Sequence, residues 1–235
     1  MTGNRIAFAG LITAFSLCVP SPADAARPLV TDDAGVLEAG ECELETFIER
    51  SRVRGEPAYF GGSVQPGCGV GLRTQLSLIG ARFDGDPATT QAGFAGKTAL
   101  IALTESRAGL TIGYSFEWSR PNGQSFRPDT GLLIAIATFP FEQNWFAHIN
   151  AGWRRTQQPR EKIFFWGVAI ERESVGSTRL DLMAETYRDV EASPWLAFGA
   201  RYRVIDNRLS INGSIAVKSG GDRETLATIG ARLAF

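Results

Sequence analysis

Hydrophobic and polar residues alternate along most of the chain after residue 40, which is the period of a β-strand with one apolar face. The alternation is cleanest over residues 110–118, 145–153, 209–217 and 226–235. In the last of these, Ala227, Ile229, Ala231, Leu233 and Phe235 share one face, opposite small or polar residues. Gly, Pro, Asn and Asp interrupt the pattern at intervals typical of turns. The pattern predicts about twelve strands of about ten residues.

Strands of this length and an even strand count are typical of bacterial membrane barrels. No stretch after the first 25 residues is apolar for 18 consecutive positions, so the sequence predicts no membrane-spanning helix there. The fold class that we expect is all-β, a closed antiparallel up-and-down transmembrane β-barrel in which neighbouring strands pair every backbone group. A large soluble β-sandwich with its aromatic side chains in the core is the alternative that this pattern leaves open.

The first residues have the pattern of an export signal. Arg5 precedes an apolar run over residues 6–19, and a small-x-small cleavage motif ends at Ala25. We therefore expect a secretory signal peptide over residues 1–25, cleaved near Ala25. The remaining chain is divided into a periplasmic N-terminal arm or a plug over residues 26–40, and the barrel over residues 41–235.

The final strand ends on Phe235, which resembles the C-terminal assembly signal of bacterial outer-membrane barrels. The expected location is the outer membrane of a Gram-negative bacterium. The partners implied are outer-membrane lipid, the barrel-assembly machinery, periplasmic chaperones and a small-molecule solute of unknown identity. A formal net charge of −1 argues against nucleic acid as a partner.

The connections between strands should differ in length between the two sides of the membrane. Those expected on the periplasmic side are short and lie at residues 66–67, 105–109, 140–144, 173–177 and 206–207. Those expected on the outer side include the longer runs 120–128, 155–162 and 219–224. This arrangement predicts two aromatic girdles. The outer girdle contains Trp118, Trp153, Trp166 and Trp195, and the inner girdle contains Phe139, Trp145 and Phe235.

Two cysteines, Cys42 and Cys68, remain after the signal peptide. An even number in an oxidising compartment favours a disulfide. Both are expected at the periplasmic end of the first hairpin, where a bond between them would clamp the seam at which the first strand meets the last.

The polar face of the predicted strands defines a set of candidate lumen residues. They are Glu43, Glu45, Glu49, Arg73, Glu117, His148, Arg154, Glu171, Asp181, Glu185, Arg201, Arg203, Lys218 and Arg232. Closure would bring Arg232 next to the acidic ladder from Glu43 to Glu49. Opposed charges of this kind can orient a polar solute in a lumen, or they can pair with one another and fill a narrow barrel.

Catalysis and metal binding have little support in the sequence. The only histidine, His148, has Phe146 and Asn150 as its nearest neighbours on the same face, not a serine nucleophile. One histidine and two bonded cysteines cannot supply a zinc site. Asp32 and Asp33 fall short of a calcium shell. We expect no catalytic residues, no metal and no cofactor.

Residues 27–35 and 40–45, Arg-Pro-Leu-Val-Thr-Asp-Asp-Ala-Gly and Gly-Glu-Cys-Glu-Leu-Glu, resemble the mature N-terminus of the phenol-degradation meta-pathway family of outer-membrane proteins. The resemblance implies a β-barrel that takes up small compounds, aromatic or hydrophobic ones among them. We expect a passive channel or a solute-binding transporter. A non-conducting structural or interaction barrel is the alternative, and a lipid-modifying enzyme is less favoured.

Overall fold

The computed structural model of the protein describes residues 29–85, 87–157, 160–189, 193–220 and 224–235. The expected signal peptide and its cleavage point lie outside the described residues. Each strand pairs antiparallel with the next, and the first pairs with the last, so the sheet closes on itself. The expected closed barrel is confirmed. Its strands are β1 (Cys42–Val53), β2 (Tyr59–Gly71), β3 (Thr74–Phe83), β4 (Thr89–Ile101), β5 (Gly109–Pro121), β6 (Arg127–Glu142), β7 (Trp145–Gln157), β8 (Arg160–Arg172), β9 (Leu180–Arg188), β10 (Trp195–Ile205), β11 (Leu209–Lys218) and β12 (Glu224–Ala234).

Among the described residues, no helix is long and apolar enough to cross a membrane.

Successive side chains point to opposite faces of a strand, so the alternation in sequence becomes two chemically different surfaces. On the outer surface, Ile48, Leu78 and Ile215 are 62%, 65% and 63% exposed. On the inner surface, polar residues such as Thr111 and Asn150 are fully buried. An apolar outside and a polar inside are the distribution expected of a barrel that faces lipid.

The barrel closes where the first strand meets the last. The Cys42 N–H donates to the Phe235 carbonyl and the Phe235 N–H donates to the Cys42 carbonyl, both at 2.9 Å. Cys42 also lies directly opposite Cys68 across β1 and β2, and the two form a disulfide. The predicted bond is therefore present and lies at the seam. Cys68 lies inside β2, however, and not beyond the connection expected at residues 66–67.

The position of one turn differs from the prediction. Chain reversal between β2 and β3 occurs at Leu72 and Arg73, whose φ angles are +51° and +55°, and not at residues 66–67. Pro66 stays within β2, opposite Leu44. Two-residue hairpins of this type require positive φ at both central positions, and Asn and Gly usually provide it. A Leu–Arg pair carries no such signal, whereas Pro–Gly does.

Arg73 is consequently not a lumen residue. It lies exposed in this turn, at one rim of the barrel. The expected difference in loop length fails at two connections. Among the connections that the structure describes in full, the longest are 102–108 and 173–179. Both belong to the set expected to be short.

Removal of the disulfide should weaken the barrel without preventing its closure. The bond closes a sequence separation of 26 residues, and a loop of this size corresponds to about 3 kcal/mol of unfolding free energy. We expect the C42S/C68S variant to keep heat-modifiable migration and to unfold at lower urea concentration, by about that free energy, in detergent micelles. Reduced wild-type protein should match the variant, and an unchanged midpoint would contradict a stabilising role.

Candidate functional site

Residues 29–39 lie inside the barrel and are bound there by side chains of the inner wall. The Glu185 carboxylate accepts the backbone N–H groups of Val30 and Thr31, at 2.9 and 2.7 Å. Asn150 binds Asp32 through two backbone contacts, accepting its N–H and donating to its carbonyl, each at 2.8 Å. A single amide side chain thus pairs with both polar groups of one residue, as a neighbouring strand would.

Further along the segment the same mode of binding continues. Thr138 Oγ1 accepts the Ala34 N–H at 2.9 Å, and Thr111 Oγ1 donates to the Ala34 carbonyl at 2.7 Å. The Leu37 N–H donates to Gln75 Oε1 at 3.2 Å. Because the wall binds mainly the backbone, these contacts do not depend on the segment's side chains.

Side chains of the segment add one ion pair and two apolar contacts. Lys97 Nζ lies 3.1 Å from Asp32 Oδ1 and 3.3 Å from the Asp33 carbonyl oxygen. Ala34 belongs to a buried cluster with Ile134, Ile136 and Phe165. Leu29 belongs to a second cluster with Ala169 and Met183. The inner wall is therefore apolar where the segment touches it with apolar groups.

Two glycines make room for the segment. A Cβ at Gly167 would collide with Thr31 Oγ1, and one at Gly69 would collide with the Glu38 carbonyl oxygen. Glycine within a strand often marks such a close approach of another chain segment. At Gly69 the contact is with backbone atoms, so any larger residue there would displace the segment. The wall is shaped to hold the segment at both of these points.

A buried charge network lies beside the segment on β7 to β10. Arg201 is 2% exposed and donates to Glu171 and, at 2.9 Å, to Asp181 Oδ2. Arg203 Nε donates to the same Asp181 oxygen at 3.2 Å. His148 Nε2 lies 3.3 Å from Glu171 Oε2. Each charge in this network has an opposite charge in contact, which buried charges require.

A second pair joins the barrel across its seam. Arg232 Nε donates to Glu43 Oε2 at 2.7 Å, and Gln75 Nε2 donates to Glu43 Oε1 at 2.7 Å. All three side chains are buried. The expected proximity of Arg232 to the acidic ladder of β1 is found.

A cavity of about 460 Å³ occupies the lumen, and Leu29 to Asp33 form part of its wall. Tyr187 and Trp195 also line it, with their rings parallel and their centroids 6.2 Å apart. Trp195 therefore points into the lumen and does not join the outer girdle that the sequence predicted. Trp153, in contrast, is 52% exposed on the outer surface.

The remaining lumen candidates lie on the inner-facing side of their strands. Some contribute the contacts described above, and others lie along the cavity wall or near the rims. These residues are Glu43, Glu45, Glu49, Glu117, His148, Arg154, Glu171, Asp181, Glu185, Arg201, Arg203, Lys218 and Arg232.

Several residues that hold the segment carry no clear signal in the sequence. Lys97 lies on β4, whose parity is mixed in sequence, and Thr138 lies on β6, which is apolar on both faces. Neutral residues such as Gln75 and Asn150 carry no charge signal. The pairing register of β6 and β7 places Thr138 directly opposite His148, so the inward position of His148 predicts that of Thr138.

A family model described as "Uncharacterised conserved protein UCP029691" matches residues 13–235. The chain belongs to this family. The resemblance to the phenol-degradation meta-pathway family is not confirmed by this match. No curated protein matches the chain.

Solved structures of outer-membrane barrels share the fold at low sequence identity. The KdgM porin in complex with disordered oligogalacturonate is 9% identical with a TM-score of 0.60, covering 81% of this chain and 99% of that one. The NanC porin is 9% identical with a TM-score of 0.55, covering 80% and 98%. The translocator domain of the autotransporter NalP from Neisseria meningitidis is 11% identical with a TM-score of 0.53, covering 83% and 88%. At these identities the likeness shows the fold alone.

Truncation of Arg201 should destabilise the barrel strongly, because Glu171 and the fully buried Asp181 would lose a cationic partner. Removing one partner of a buried ion pair costs about 3–5 kcal/mol. We expect the R201M variant to unfold at clearly lower urea concentration than the wild type. The R82M variant, which changes an exposed arginine on β3, should not. Equal midpoints for both variants would show that the network adds nothing to stability.

The barrel should lose stability as the pH rises from about 5 to about 7.5. Glu173 lies in the connection after β8, and its burial, with Glu171 nearby, raises its pKa to about 7. Arg203 and Arg201 oppose this shift only from 3.8 and 4.0 Å. A raised pKa means that the folded state disfavours the charged carboxylate, so stability present at low pH is lost as Glu173 ionises. In thermal unfolding, the E173Q variant should lack this part of the pH dependence, and an unchanged pH profile would contradict the assignment.

Proposed function

We propose that the protein resides in the bacterial outer membrane and is a channel or solute-binding barrel for small compounds. The observation that carries the proposal is a closed twelve-stranded barrel with an apolar outer surface and a polar, charged lumen that contains a cavity of about 460 Å³. A cavity of this size is large enough for a small organic molecule. The porin fold of KdgM and NanC supports a transport role.

Residues 29–39 act as a gate in this proposal. The segment leads into β1 through Glu41, at the rim where Cys42 meets Phe235. Backbone contacts to Glu185, Asn150 and Thr138 keep it inside the lumen. Water can replace each of these contacts in a hydrated lumen, so the segment can leave while the strand pairing stays intact.

The barrel does not act as an enzyme in this proposal. His148 Nδ1 lies 3.0 Å from the Thr138 hydroxyl, and its Nε2 lies near Glu171, which is the order of groups in a catalytic triad. Thr138, however, is fully buried and also accepts the Ala34 N–H. A substrate carbonyl has no approach to that hydroxyl while the segment is bound.

A non-conducting structural barrel is the second candidate. The observation in its favour is the segment itself, since a lumen that holds polypeptide permanently would pass no solute.

The expected preference for aromatic or hydrophobic compounds is a finer part of the proposal. It is supported by Tyr187 and Trp195 on the cavity wall.

Weakening the segment's contacts should increase conductance. We expect discrete conductance steps from the refolded mature protein in planar bilayers, and larger or more frequent steps from the N150A/E185A variant. The Q91A variant changes a cavity residue outside the segment's hydrogen bonds and should behave as wild type. Heat-modifiable migration on a gel would verify that each barrel is folded.

Two outcomes would contradict parts of the proposal. Folded wild type and folded variant that are both silent would exclude a channel and favour the structural barrel. Equal conductance from both would exclude a gating role for residues 29–39 and leave the channel itself standing.

A further inference from the structure

We propose that a groove on the outer surface of the barrel binds a membrane lipid, whose acyl chains lie in the groove and whose phosphate contacts Arg82 and Arg50. The groove lies outside the lumen, so the inference goes beyond the proposed function and shares with it only the place of the barrel in a membrane. Three observations carry it: an apolar groove across the seam, small residues on its floor and arginines at one end.

The groove has a volume of about 650 Å³ and crosses the seam, with residues of β1, β2, β3, β11 and β12 along it. Ile48, Val64, Ile211 and Ile229 line it, and these side chains are 62%, 44%, 47% and 60% exposed. Apolar surface of this kind favours contact with hydrocarbon over contact with water. The volume is in the range of sites that bind organic ligands.

Small residues on three strands, Gly62, Gly80 and Ala231, form the floor of the groove. A Cβ at Gly62 would meet the Phe47 carbonyl oxygen at 3.6 Å, and one at Gly80 would meet Val64 Cγ1 at 3.4 Å. Both are ordinary van der Waals contacts, so packing within the barrel does not require glycine at either position. The two glycines instead leave space on the outer surface, which a ligand can fill.

Two arginines flank one end of the groove. Arg82 lines it and lies opposite Gly62, while Arg50 lies opposite Phe60, two residues along the same face of β2. Arg50 Cζ is 6.0 Å from the centroid of the Phe60 ring. Both arginines are exposed, and in the part of the chain that the structure describes neither forms an ion pair with a carboxylate. The guanidinium groups can therefore approach one anion from both sides of β2.

The arginine end of the groove lies at the rim where β1, β3 and β5 end. At the same rim Arg120 Cζ is 4.8 Å from the Phe126 ring centroid, and Lys162 Nζ is 5.0 Å from the Trp153 ring centroid. Cations beside aromatic rings are typical of the level at which a membrane meets water. The groove extends from this level toward the middle of the barrel, so it holds phosphate and acyl chains in the order in which a bilayer places them.

A phosphate-bearing lipid matches both ends of the groove. A guanidinium at the edge of an apolar phase is costly unless an anion or water contacts it, and its planar fork fits phosphate oxygens. A second copy of the chain is the rival occupant. Its outer surface would cover the apolar residues but would place Arg82 against apolar side chains, whereas one lipid supplies the chains and the anion together.

The test compares three probes that share parts of one lipid: dioleoyl phosphatidic acid, dioleoylglycerol without the phosphate, and glycerol 3-phosphate without the chains. Binding to the full mature protein, refolded in uncharged detergent, is measured by titration in native mass spectrometry. We expect phosphatidic acid to bind at least tenfold more tightly than either of the others. Equal binding of dioleoylglycerol, equal binding of glycerol 3-phosphate or no binding of phosphatidic acid would each overturn the inference.

Matched variants assign the binding to the groove. The G62L/G80L variant fills the groove and should weaken the binding of phosphatidic acid at least tenfold. The G131L variant adds the same side chain to the outward face of β6, which the exposed Leu133 shares, and a Cβ there would meet Phe116 Cδ2 at 3.6 Å. It should bind as the wild type does, and heat-modifiable migration verifies each fold. No loss in G62L/G80L, or an equal loss in both variants, would overturn the assignment.

A second pair of variants tests the phosphate contact and leaves the groove open. The R82Q variant should weaken the binding of phosphatidic acid at least fivefold and leave that of dioleoylglycerol unchanged. The R155Q variant changes an exposed arginine on β7, outside the groove, and should leave both unchanged. An equal loss in the two variants would show a general attraction of the protein for anionic lipid and would overturn the site.

The outcome is separable from that of the proposed function. A conducting barrel that does not bind phosphatidic acid would overturn this inference and leave the channel standing. A silent barrel that binds it would exclude the channel and support the lipid site. A wild type that is dimeric in detergent, with a monomeric G62L/G80L variant and no preference for phosphatidic acid, would show that a second copy fills the groove and would overturn the inference.

Discussion

The pairing of β1 with β12 is the constraint on which the rest of the structure depends. Cys42 and Phe235 exchange two backbone hydrogen bonds at this seam, and the disulfide to Cys68 fixes the same strand to its other neighbour. In an apolar solvent an unpaired strand edge costs several kcal/mol for each exposed group. Closure removes that cost, and it also fixes which residues face lipid and which face inward.

Closure then makes the inner surface a narrow space that holds many ionisable groups. Such groups must be paired or solvated. Arg201 with Glu171 and Asp181, and Arg232 with Glu43, satisfy this by pairing between strands. The inner wall next to these pairs binds residues 29–39. Other ionisable side chains of the inner wall, Glu45 and Glu49 among them, line the cavity beside the segment.

Much of this arrangement was predictable, because a strand with a period of two can present each side chain to only one of two faces. Strand faces, the cysteine bond and the approach of Arg232 to Glu43 all follow from alternation and closure. The sequence signal failed where it was locally absent. Leu72 and Arg73 form a turn with neither Gly nor Asn, β6 is apolar on both faces, and Trp195 is as suited to a lumen as to a girdle. The sequence did not decide whether residues 29–39 form an arm or a plug. Their contacts use mainly backbone atoms, and no sequence pattern displays such contacts.

Binding through backbone atoms also decides how firmly residues 29–39 are held. A backbone hydrogen bond to a side chain such as Asn150 or Glu185 contributes only about 1 kcal/mol when water can replace the partner. Hydrogen bonds between the barrel strands have no water to replace them on the lipid side, so they are far more costly to break. The segment and the barrel therefore differ in stability although both are built from hydrogen bonds. The proposed gate therefore needs no change in the wall: residues 29–39 can leave the lumen while the strands stay paired.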